Sequence, residues 1–244
     1  MNEEFYVGYE PEMPARMAER IRRVAAGLVA FALVLPAVLV FTEERFSTGV
    51  FEYGRVRTFS GRIVVSPYPA LISDDATGAT RAFWLAGPGK HGAEDITRGR
   101  VGQRVQLSGS LIERDGEAMI EVVPGSVVIT ATGAIESEPL RSFGVIVVEG
   151  EIVDSKCHLG VMKPGEGPTH RDCAVRCLLG RIPPMFVPHD SGDVGRASLV
   201  TEAAQPFVDA NVFAGKRVSV RGEILKRDAQ TFLAVSRRDI RLID

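Results

Sequence analysis

Read as apolar and polar positions, the chain changes character twice. Residues 1–23 are polar and mixed in charge, with Arg16, Arg20, Arg22 and Arg23 crowded toward the end of this segment. Val24–Phe41 then runs eighteen residues without a charge. At ~1.5 Å rise per residue such a run spans most of a ~30 Å hydrocarbon core. Its apolar residues wrap all round a helix and leave no polar face, so the stretch predicts a single membrane anchor over 24–41, with Pro36 tolerated. The competing reading is a cleaved signal peptide. Against it stand a long, partly acidic leading region and the lack of a small-residue cleavage pattern before Glu43 and Glu44. Four arginines precede the span and only Arg45 stands close after it, which predicts an N-terminus in the cytoplasm and a periplasmic or otherwise extracytoplasmic bulk.

From Gly54 onward the pattern shifts to short runs. Val105 and Leu107 alternate with Arg104, Gln106 and Ser108, the period of a half-buried strand. Ile63–Val65, Ala82–Leu85, Met119–Val122 and Val127–Ile129 read as further strands, with a turn at Asp115-Gly116 between two of them. Together they predict a five-strand antiparallel unit over 54–130, of a size for a small barrel. After a linker at Ala131–Pro139, a second unit over 145–244 repeats the first. Gly102–Val122 and Gly215–Val235 are identical at seven of 21 positions, including two glycines and the Arg-Asp of a hairpin. The opening strands match as well, Gly61-Arg-Ile-Val-Val-Ser66 against Gly150-Glu-Ile-Val-Asp-Ser155. This predicts a tandem duplication. From opening to later glycine the second copy takes 65 residues against 41, so it carries 24 more. The surplus falls at 155–184, and insertions on a rigid frame are where function is grafted.

Hydrophobic residues at 45% and charged residues at 25% allow a packed core and argue against disorder. A formal net charge of −2 with no basic stripe argues against a nucleic-acid partner, and the lone Trp84 reads as core, not as a stacking platform. The frequent glycines and prolines predict short strands joined by turns. The G-x-K/R-V-x-Φ-x-G strand pairs within five-strand units resemble the OB-fold. A membrane helix leading into an exported domain of that kind is similar, in architecture, to the haem chaperone of bacterial cytochrome c maturation. That resemblance implies a mainly β chain with two tandem OB-like barrels behind an anchor. The family's haem-attaching histidine, on a tail after the barrel, has no counterpart near Asp244, and no residue role carries over.

The candidate chemistry lies in the insert. It holds all three cysteines, Cys157, Cys173 and Cys177, and two of the four histidines, His158 and His170. Thr169 with Asp172 three residues on predicts a helix N-cap, and Gly180 with Pro183 and Pro184 predicts its end. On that helix His170, Cys173 and Cys177 stand at i, i+3 and i+7 and share one face. Cys157 arrives from the strand end. A Cys₃His set is complete for tetrahedral zinc, and soft thiolates also suit copper or an iron-containing cofactor. Met162 and His158 are outer candidates. Cys173 and Cys177 also fit a plain core-facing helix stripe beside Ala174 and Leu178, as small buried residues. Two further readings stay open. One is thiol–disulfide exchange, with Cys173 near a helix N-terminus beside Arg171 and Arg176, and Cys157 or Cys177 resolving. The other is a structural subunit in which Cys157 forms a disulfide to Cys173 or Cys177 and staples the insert. Gly87-Pro-Gly-Lys-His-Gly92 lacks the spacing and the succeeding helix of a phosphate loop and reads as a hairpin loop. His91 within it is a candidate to meet the insert in space, and His189 reads as a surface-turn residue. No Ser-His-Asp set, HExxH or paired-carboxylate motif is present, so the expectation is a non-enzymatic membrane accessory protein. Its expected partners are the membrane and another membrane or exported protein.

Overall fold

The chain separates into two units, Met1–Phe46, which contains the charge-free run, and Ser47–Asp244, which contains the strand pattern. The computed structural model describes residues 12–42, 49–65, 67–74, 79–131, 138–189 and 195–243. Glu43, Glu44 and Arg45, and most of the expected linker at Ala131–Pro139, lie outside them.

The first unit is a helix, α1 (Ala15–Thr42), with Pro36 inside it. It begins well before Val24, because Arg16–Arg23 contains no proline or glycine and Glu19 pairs with Arg23 one turn on at 2.5 Å. The polar tail expected at 1–23 is therefore helical in its last third. Its most apolar 18-residue window has a mean hydropathy of 2.3. By length and composition this helix is able to cross a membrane, a test that a signal sequence also passes.

The second unit is mainly β. In its first half, β1 (Val50–Phe51), β2 (Arg57–Val64), β3 (Ala70–Asp74) and β4 (Thr80–Ala86) precede a short helix, α2 (Glu94–Thr97). After it come β5 (Arg104–Arg114), β6 (Glu117–Val122) and β7 (Val128–Ala131). Five strands close a ring, β2–β3–β4–β6–β5 and back to β2. Two expectations are corrected here. The ring's remaining strand is β3, not Val127–Ile129, whose strand β7 lies outside the ring and pairs with β5. Pro67 and Pro69 beside a short apolar run gave β3 no strand period to read. The ring is also not wholly antiparallel, since β4 and β6 pair in parallel.

In the second half, β8 (Arg141–Asp154), β9 (Pro184–Pro188), β10 (Ala197–Thr201), β11 (Arg217–Arg227) and β12 (Gln230–Leu242) form a closed barrel. Its ring runs β8–β9–β10–β12–β11, the same order as the first, and its parallel pair is again third with fifth, β10–β12. At 14 and 13 residues β8 and β12 exceed the short strands expected. Register shifts along β11 let long strands bend around the barrel. The matched glycines before β5 and β11, Gly102 and Gly215, both take positive φ (74° and 67°), where a side chain would be strained. Asp115 and Asp228 hold the two hairpin turns at φ 49° and 50°, a conformation Asp tolerates better than most residues.

Each ring fills its own interior, and a third apolar cluster joins them. Trp84 of β4 stacks edge-on against Phe232 of β12 at 5.8 Å and against Tyr68 at 6.4 Å. The hairpin aspartates clasp across this seam: Asp228 pairs with Arg62 at 3.3 Å and Asp115 with Arg196 at 2.7 Å. Tyr68 completes the seam. Its buried hydroxyl donates to Leu199 O at 2.5 Å and accepts from Phe207 N at 2.9 Å, and burial pushes its ionisation up. Tyr68→Phe leaves both backbone groups without that partner, and an unsatisfied buried group costs about 1–3 kcal/mol. The expected result in chemical denaturation is a loss of that size at unchanged m-value.

Glu117, at the start of β6, is held above the usual carboxylate range, foremost by burial, with a Trp84 hydrogen bond opposing. Its folded-state pKa exceeds its unfolded value of about 4.3, so the ionised form destabilises the fold at neutral pH. Linkage gives the sign: this destabilisation is present above the raised pKa and disappears as pH falls past the unfolded value. Glu117→Gln is accordingly expected to melt higher than the parent at pH 7, with the gap closing toward pH about 4. A pH series of melting curves checks it.

Candidate metal centre

The insert runs from the end of β8 to the start of β9 and is tied at its base. Ser155 N donates to Pro183 O at 3.2 Å, and Gly167 N donates to Glu151 Oε1 at 2.7 Å. Its first element is a π-type turn, Cys157–Val161, its second the helix α3 (Arg171–Leu179). The helix ends at Gly180, as the sequence predicts. Its start differs from the expected Thr169 cap: His170 occupies the cap position, without a side-chain cap bond. The turn from Gly167 runs straight into the helix, with His170 N bonded to Gly167 O and Arg171 N to Pro168 O. Thr169 is thereby left inside a turn.

The three cysteines converge. Their sulfurs all lie within 4.8 Å of one another, Cys157 and Cys173 at 3.9 Å, and all three are free thiols. A tetrahedral ion with metal–sulfur bonds of about 2.3 Å separates its sulfurs by about 3.8 Å, so the spacing fits a thiolate-ligated metal. Cys157 and Cys177 are 3% and 1% exposed, while Cys173 is only partly buried.

The histidines divide differently from the sequence expectation. His170 lies with Cys157 and Asp154 in a second group of potential ligands, not among the three sulfurs. Its Nε2 donates to Asp154 Oδ2 at 2.9 Å. Asp154 is fully buried, and its Oδ1 accepts from Cys157 N at 2.9 Å, which fixes the turn that carries Cys157. The i, i+3, i+7 stripe thus delivers Cys173 and Cys177 to the cluster and His170 to its base. His158, also buried, faces away: its Nε2 accepts from Arg196 Nε at 2.9 Å and its Nδ1 lies 3.1 Å from Glu166. Burial first of all lowers its pKa, with Glu166 opposing. Met162 is 43% exposed. His189 is exposed, and His91 lies at the surface beside Gly180 and Arg181.

Three residues of the centre escape sequence reading. Lys90, on the first barrel's Gly87–Gly92 loop, donates from Nζ to Cys173 Sγ at 2.7 Å and to Cys177 Sγ at 3.5 Å. Lys156, 2% exposed, donates to Gly87 O at 2.8 Å and Gly89 O at 2.7 Å and pairs with Glu121, so it holds that loop in place. Gly92 N adds a bond to Gly180 O at 2.7 Å, and a Cβ on Gly180 would collide with the carbonyl of Lys90. Asp154 is the third. Only Asp154 left a local trace, standing three residues before Cys157 where a carboxylate caps a turn. The loop that brings Lys90 comes from the other barrel.

This environment polarises the thiols. Hydrogen bonding between the Cys157 and Cys177 thiols is the largest influence on both, raising Cys157 and lowering Cys177, with Lys90 assisting the latter. Burial pulls Lys90 down, but its bonds to the two sulfurs outweigh this and raise it. Comparison with family models, with curated proteins and with solved structures finds no match for this chain.

Proposed function

We propose that this chain is a membrane-anchored, extracytoplasmic accessory protein that binds a soft transition metal through Cys157, Cys173 and Cys177. The observation that carries the reading is the convergence of three sulfurs to within 4.8 Å, with a 3.9 Å pair at the spacing of a thiolate-bound ion. Zinc and copper both suit such donors, as does an iron-containing cofactor held by thiolates. Among the described residues no His, Asp or Glu joins the three sulfurs at that radius. A three-ligand centre with a position for an incoming ligand supports transfer or exchange over a purely structural role. We therefore assign the protein to metal or cofactor delivery, or to a membrane redox complex. The two rings, alike in order and in the placement of their parallel pair, are OB-like barrels from a tandem duplication, and they serve as the frame of the site. The arginines before the apolar helix support an N-terminus in the cytoplasm.

The test is metal content and thiol count of the full chain, purified in detergent without oxygen. About one ion per chain, lost in Cys173→Ser and Cys177→Ser, supports the reading and names the element. No metal after exposure to zinc, copper and iron in turn overturns it.

A further inference from the structure

We propose that Cys173 is a peroxide-reactive sulfur and Cys157 its resolving partner, so that oxidation writes one specific disulfide and discharges the metal. The discharge rests on the metal reading above; the choice of sulfurs does not.

Access selects Cys173. It is partly buried, whereas Cys157 and Cys177 are closed to solvent. Lys90 selects the same atom, donating at 2.7 Å to Cys173 against 3.5 Å to Cys177. The thiolate is the attacking form of any cysteine, and Lys90 holds its ammonium against this sulfur. Lys90 is held ready for this by Lys156, which binds the loop carbonyls of Gly87 and Gly89 beside it.

Geometry selects the partner. Cys177 stands four residues beyond Cys173 on α3, and such helix neighbours hold their Cβ atoms about 5–6 Å apart. A disulfide needs about 3.8 Å. Cys157 approaches from a separate turn, its sulfur already 3.9 Å from that of Cys173, and bridging to it does not distort the helix.

The Cys173 thiolate attacks one oxygen of hydrogen peroxide and the O–O bond breaks. The departing hydroxide takes a proton and leaves as water, and Cys173 becomes a sulfenic acid. The Cys157 sulfur then attacks the sulfenic sulfur, the S–O bond breaks, and the hydroxyl leaves with the Cys157 proton as a second water. Two thiols and one peroxide give one disulfide and two waters. Two of the three sulfur donors are then no longer thiolates.

The experiment treats reduced full-length protein in detergent, both zinc-loaded and metal-free, with equimolar hydrogen peroxide. Disulfides are mapped by non-reducing peptide mass spectrometry, and released zinc is monitored with a chromophoric chelator. Expected are a Cys157–Cys173 bond in both samples, zinc release in step with it, and the same bond in Cys177→Ser. Cys157→Ser is expected to stop at a dimedone-trappable sulfenic acid on Cys173, and Lys90→Met to react about tenfold more slowly, with Lys90→Arg close to the parent. A main product joining Cys177 to either other cysteine, a mixture of bonds, a sulfenic acid trapped elsewhere, or no reaction overturns the proposal. Failure of the parent to bind zinc, copper or iron counts against the metal reading alone, because the metal-free mapping still decides which sulfurs react.

Discussion

Cys157→Ser is expected to leave the full-length protein without bound metal, where the parent keeps about one ion per chain. Cys157 belongs to both groups of potential ligands, with Cys173 and Cys177 on one side and with Asp154 and His170 on the other. Serine preserves the size of the turn but replaces a soft sulfur by a hard, protonated oxygen, the poorer donor for such an ion. Loss of an outer partner of a metal ligand costs about 10–100-fold in affinity. Asp154→Asn, which weakens the support of the Cys157 turn, belongs in that range, and removal of the sulfur itself must exceed it. Met162→Leu, on an exposed side chain, is expected to change nothing. Elemental analysis after dialysis against a graded chelator series reads all three. Metal retained at parental level by Cys157→Ser would remove Cys157 from the ligand set.

Lys156→Met is expected to lower the melting temperature by about 10 °C, because it removes a buried ammonium from its carboxylate and carbonyl partners. The side chain is 2% exposed and faces Glu121 and two carbonyls, Gly87 O and Gly89 O. Methionine fills the volume but leaves the Glu121 carboxylate without its partner and the carbonyls without a donor. Breaking a buried pair from one side costs about 3–5 kcal/mol. In a folded unit of this size each kcal/mol moves the midpoint by about 2–4 °C. Lys163→Met, at an exposed position in the same insert, is expected to melt with the parent. Adding Glu121→Gln to Lys156→Met is expected to recover part of the loss, because the stranded charge is gone. A drop no larger than that of Lys163→Met would mean that Lys156 does not hold the two barrels together.

What sequence reading reached and missed divides along contact range. The apolar helix, the alternating strands around Arg104–Arg114, the turn at Asp115, the end of α3 at Gly180 and the clustering of the cysteines in one segment were all legible, because each shows in local pattern or in closeness along the chain. The helix stripe correctly grouped Cys173 with Cys177. It misplaced His170, because a shared helix face says nothing about what stands opposite, and Asp154 stands opposite His170. Strand β3 was lost behind Pro67 and Pro69, and only its partners on either side make it a strand. Lys90 was not read as part of the centre: its loop lies in the other barrel, and the expectation that this loop meets the insert rested on its neighbour His91, which lies at the surface.

By itself, then, the sequence determined a long apolar helix, a mainly β remainder and one segment rich in soft ligands, since local periodicity and composition are sufficient for each. The tertiary structure alone decided that the third strand of each ring pairs in parallel with the fifth, that Asp154 claims His170, and that a buried Lys156 sets a loop of one barrel over the thiols of the other. Those outcomes depend on charges and hydrogen-bonding groups that must find partners once water is excluded. The partners stand many residues apart and are chosen by which surfaces the packed barrels bring together.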